Sequence, residues 1–193
     1  LIAKVGANVQ KGQQVTIYAN VDQEDLVNYV TYYCYKLGAE YVTINWISDK
    51  VNNTQYRQAS VKALSTIPEW RIEKEKYINK TLPCAIFIES SSPDSLKGVD
   101  QAKLAKVNKA IYPVLKPFRD ERENKYQWVV VGAASKEWAK KVFPNLRTSA
   151  AVEKLWENIL KTARCYGDPI KNWQEHNDDL EKRSKYLSSL DLD

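Results

Sequence analysis

At 193 residues the chain can bury one good core, and its composition, 44% hydrophobic and 27% charged, excludes a disordered or fibrous polymer. No apolar run approaches the roughly 20 residues that span a bilayer, and no charged segment followed by an apolar one reads as a signal peptide, so a soluble, cytoplasmic protein with no membrane partner is expected. The formal charge of +5 comes from 29 basic and 24 acidic residues that are interspersed rather than blocked, which favours solubility and argues against nucleic acid as a partner.

Val15-Thr16-Ile17-Tyr18-Ala19 is a β-branched and aromatic run after the turn formers Lys11-Gly12, and it reads as a strand. Residues 24–37 repeat apolar side chains at Leu26, Val27, Val30, Tyr33 and Leu37 and stop at Gly38, the pattern of a helix with a glycine just past its end. Residues 41–46 make a second strand, so one βαβ unit is already present. Residues 54–79 are helical in pattern and punctuated by Pro68, and the nearly continuous apolar run 84–88 suits a strand covered on both faces. Residues 99–115 read as a helix ended by Pro113 and Pro117. Its Leu104, Val107, Ile111 and Leu115 face a core, opposite a solvated stripe of Lys103, Lys106 and Lys109. Residues 127–132 form a fourth buried strand. Only helices follow, at 135–142, 149–164 and 169–187, the last announced by Asp168-Pro169.

Strands alternating with helices of this length imply right-handed crossovers. The expected fold is α/β, with an open, mainly parallel four- or five-stranded sheet of the Rossmann or flavodoxin type in the order 2-1-3-4. Helices flank it, and residues 149–193 form a C-terminal helical appendage to a sheet core at 1–148. The chain begins at Leu1 and has no methionine where average usage predicts a handful, so a natural start upstream is expected.

Chemistry is sparse. Cys34, Cys84 and Cys165 are odd in number, far apart and without C-x-x-C spacing, so they read as buried thiols. Ligands of open α/β sheets sit beyond the carboxyl ends of the strands, here Asn20-Val21-Asp22, Ile47-Ser48-Asp49, Glu89-Ser90-Ser91-Ser92 and Gly132-Ala133-Ala134-Ser135. The turn after the first strand lacks the glycines of a dinucleotide loop, no G-K-[ST] closes a phosphate loop, and Ser135 is most simply an N-cap. No G-x-S-x-G elbow occurs. His176 is the only imidazole, flanked by Glu175, Asp178 and Asp179. It lies beside the line Trp173, Leu180, Leu187 and reads as a packing histidine with Asp179 as its carboxylate partner. No residue is assigned a catalytic, cofactor-binding or metal-binding role.

Five stretches carry a resemblance: Asn8-Val9-Gln10-Lys11-Gly12-Gln13, Ile67-Pro68-Glu69-Trp70-Arg71, Lys136-Glu137-Trp138-Ala139-Lys140-Lys141-Val142-Phe143-Pro144, Ala151-Val152-Glu153-Lys154-Leu155-Trp156 and Trp173-Gln174-Glu175-His176. In this order they resemble the N-terminal half of the metallo-aminopeptidases typified by aminopeptidase T and aminopeptidase S, the thermophilic-type leucyl aminopeptidase family. The resemblance implies a two-domain enzyme of roughly twice this length that removes N-terminal residues from peptides. It places two divalent metal ions, zinc or cobalt with manganese or magnesium as alternatives, on glutamate, histidine, tyrosine and aspartate ligands of a C-terminal domain. That domain would begin near Leu190-Asp191-Leu192-Asp193, and none of its ligands matches a position here. The resemblance further implies a homodimer enclosing a cavity that the present segment walls, supporting dimer assembly while inactive by itself. Trp138 with Val142, and Leu155 with Ile159, are expected core anchors, and Trp156 is expected to pair with Trp173. The alternative is a free-standing Rossmann-like module holding a small ligand or anion at Asn20, Ser90 and Gly132.

Overall fold

The computed structural model describes residues 1–190, so Asp191, Leu192 and Asp193, where a second domain is expected to begin, lie outside the described residues. After an opening π-helical turn at Ile2–Gly6 come β1 (Gln14–Asn20), α1 (Glu24–Lys36), β2 (Tyr41–Ile47), α2 (Asp49–Gln58), α3 (Val61–Ser65) and α4 (Glu69–Thr81). Then follow β3 (Cys84–Glu89), α5 (Gln101–Arg122), β4 (Trp128–Gly132), α6 (Lys136–Val142), α7 (Thr148–Thr162) and α8 (Pro169–Ser188). The four strands are all parallel in the order β2-β1-β3-β4, with Ile17 opposite both Ile44 and Ile86, and Ile86 opposite Val129.

That register gathers Val15, Ile17, Ala19, Ile86 and Ile88 on one face of the sheet, against Val27, Val30 and Cys34 of α1 and the opening turn. Ile17 and Ile86 are fully buried, and each such side chain contributes roughly 1.5–3 kcal/mol. A smaller cluster of Ala134, Ala139, Ala151 and Leu155 locks α6 to α7, and Trp156 touches both clusters. The end of α1 follows its glycine. Gly38 adopts φ 93°, and the Gly38 and Ala39 N–H groups donate to Tyr35 (2.9 Å) and Cys34 (3.0 Å), closing the helix as a Schellman turn.

Several expectations need correction. Residues 54–79 are not one helical stretch but parts of three, because Ser48 and Ser60 each cap a new start and Pro68 precedes the third. Helix α5 begins at Gln101 rather than 99, where Asp100 accepts from the Ala102 and Lys103 N–H groups. It also runs through both prolines to Arg122. Pro113 and Pro117 are exposed, so the carbonyls of Lys109 and Pro113 that lose an intrahelical donor remain open to water. The far end is anchored by Arg122, whose Nη1 donates to Glu75 (2.7 Å) and Asn79 (3.0 Å) of α4.

Candidate functional site

The carboxyl ends of the strands open into a cleft of about 1310 Å³. Its floor is cross-braced by buried polar side chains. The Asn20 amide donates to the Ile47 carbonyl (3.1 Å) and accepts from the Ser91 N–H and Oγ (each 3.1 Å), the orientation that satisfies the most groups. Gln23 Nε2 donates to Ala134 O (3.2 Å), and Ser90 Oγ donates to Asp22 Oδ1 (3.0 Å). The ends of β1, β2, β3 and β4 are thereby tied together. Asn20 and Ser90 line the cleft as the sequence suggests, but Gly132 does not. A Cβ there would lie 3.4 Å from the Trp138 ring, so its role is to let that indole pack closely.

The lining is acidic: Asp22, Asp25, Asp49, Asp94, Glu137 and Glu153 stand against Lys50 and Lys136. Three of the amides at this edge are already engaged. Ser92 N–H donates to Asp49 Oδ2 (2.7 Å), Ala133 N–H to Glu89 O (2.8 Å) and Trp138 N–H to Ser135 Oγ (3.2 Å). A cleft of this charge repels phosphates and favours cationic groups. Its wall from α7, with Thr148, Glu153 and Trp156, was not foreseen as part of the edge. Only the tertiary fold brings that helix across from β1, and no local spacing announces it.

His176 lies outside this cleft. Its Nδ1 is 3.2 Å from Arg164 Nη2, and its ring meets Trp173 edge-on at 5.6 Å. Asp179 is not its partner, because Arg183 lies one turn further on and takes that carboxylate at 2.9 Å. Trp173 bonds through Nε1 to Ala163 O (2.8 Å) instead of pairing with Trp156, which is held in the two core clusters. Val142, the last residue of α6, is exposed although Trp138 one turn earlier packs as expected. Leu155 and Ile159 do pack together in the smaller cluster.

Cys34 and Cys84 are buried, and burial pushes each thiol up to about 11. Cys165 is only half-buried, because the loop that carries it lies outside both cores. Among the described residues no three His, Cys, Asp or Glu side chains gather closely enough to hold a metal ion, and no helix is long and apolar enough to cross a membrane.

A family model described as thermophilic metalloprotease (M29) matches residues 1–193. The chain is 37% identical over 190 residues to aminopeptidase AmpS of Bacillus subtilis, spanning 97% of this chain and 46% of that protein. It is 35% identical over 191 residues to aminopeptidase PepS of Streptococcus thermophilus, with 97% and 46% covered. The structure of wild-type AmpT from Thermus thermophilus matches with a TM-score of 0.86 at 28% identity, over 98% of this chain and 47% of that one. The chain thus spans about half the length of the curated relatives it matches.

Proposed function

We propose, on the premise that the chain belongs to the thermophilic metalloprotease family M29, that it is the N-terminal α/β domain of a metal-dependent aminopeptidase. The intact protein would remove N-terminal residues from peptides in the cytoplasm as a homodimer. The observation that carries this reading is a relation of lengths: nearly all of this chain aligns with less than half of proteins named aminopeptidases. The remaining half is where the family resemblance puts the two divalent ions. The described residues form no ligand set for them, so no step through a metal is assigned to this chain.

The domain's contribution is then positional. The cross-braced strand ends give a rigid wall, and its carboxylates would draw a peptide's protonated amino end toward the cavity while excluding bulky substrates. The test is release of leucine from a leucyl anilide by the full-length protein with divalent metal. Metal-dependent turnover by residues 1–193 alone would defeat the division of labour. A free-standing ligand-binding module draws support from the cleft itself, although the carboxylates lining it disfavour an anionic ligand. Saturable nucleotide binding measured by calorimetry would decide for that reading.

A further inference from the structure

Among the described residues, helix α8 is fastened only at its start. Asp168 caps it, and Asn172 Nδ2 donates to the carbonyls of Arg164 (3.1 Å) and Tyr166 (2.6 Å). Trp173 and His176 complete the attachment through Ala163 and Arg164. From residue 177 to residue 190 every side chain is exposed. The last three helical turns project as an arm of roughly 18 Å, at 1.5 Å per residue. Helices of this length are marginal in water without a packing partner. The ion pairs along the arm, Arg183 with Asp179 and Lys185 with Glu181, are solvent-exposed and lend it little. Yet the arm carries an apolar line, with Leu180 49%, Leu187 56% and Leu190 43% exposed. Leu180 and Leu187, seven apart, share one side of α8 opposite Asp178, Lys182 and Lys185, and Leu190 follows just past its end. An apolar side opposite a charged one is the pattern of a helix that buries it.

We propose that this line is the seat of the polypeptide that follows it in the full-length protein. The inference rests on the aminopeptidase reading, in which a second half of similar size continues from α8. Two considerations select this occupant over a second copy of the chain. A tethered half meets the arm at a millimolar effective concentration, which a separate molecule does not approach. And one side of three helical turns is too small to supply the roughly 1,200 Å² that a specific interface between two chains buries.

Hydrogen exchange measured by mass spectrometry on the full-length protein tests the proposal. Amides of residues 177–188 should exchange slowly in the wild type. In Leu180→Lys/Leu187→Lys they should exchange at least tenfold faster, whereas Lys182→Ala on the opposite side should leave them unchanged. If the double variant does not fold, Leu187→Ala reads the same contact with a smaller acceleration. Fast exchange in the wild type, or protection that survives these substitutions, overturns the proposal. Protection that fades on dilution assigns the line to a second copy and overturns it as well. The activity reading fails separately, through a wild type that releases no leucine from a leucyl anilide.

Discussion

Cys34 and Cys84 are fully buried in the main core, and among the described residues neither has a charged partner that would favour a thiolate. The Cys84 Sγ–H instead points at Ala7 O at 3.5 Å. Their thiols are raised from 9.0 to about 11, chiefly by burial, so the unfolded chain releases these protons first. The stability they contribute is therefore complete below pH 9 and is lost as the pH rises through 11. At 1.36 kcal/mol per unit, that loss is at most about 3 kcal/mol for each thiol. The urea midpoint should hold steady to about pH 9 and fall beyond it, and Cys34→Ala/Cys84→Ala should flatten the fall. A fall of the same steepness in that variant would assign the effect to other groups. Asn20 acts through geometry instead. Asn20→Ala leaves the Ile47 carbonyl and the Ser91 N–H unpaired at the cleft floor, a loss of about 1–3 kcal/mol, readable as a lower urea midpoint. The sequence marks Asn20 as polar and at a strand end. It does not reveal that the amide is spent on bracing.

At the scale of elements, the four strands and the order 2-1-3-4 were legible, alternation with helices making them parallel. But β4, read as buried, is an edge strand that leaves Trp128 and Val130 exposed. Helix α5 was misread because proline is judged locally, while the helix is held from outside by Arg122 on Glu75 and Asn79. If the two prolines are tolerated only for that reason, restoring a donor should help. Pro113→Ala should regain the bond to Lys109 O and raise stability by about 1–3 kcal/mol, measured by urea unfolding. An unchanged or lower midpoint would mean that the local bend is needed for α5 to reach α4. Helix α8 was half legible. Its spacing identified the apolar line through Trp173, Leu180 and Leu187, but only the first of these meets the rest of the described chain. Periodicity reports that a side wants burial and is silent about what buries it.

At the scale of the whole molecule, the cleft was visible in the sequence only as four polar strand ends. Its acidic balance depends also on Glu137 and Glu153, which α6 and α7 carry to the same edge. What holds this assembly is the burial of two apolar clusters joined at Trp156, with no cluster of metal-ligating side chains among the described residues. A ligand that binds only the folded state stabilises it, by about 2.7 kcal/mol at a hundred times its Kd. If residues 1–193 hold no metal, their urea midpoint should be the same with added zinc or cobalt as with a chelator. In the full-length protein the same chelator should abolish release of leucine from a leucyl anilide, and restored metal should return it. The contrast between the two measurements carries the argument. A midpoint for the isolated segment that rises with metal would place a binding site within it, and the division between a positioning half and a catalytic half would have to be redrawn.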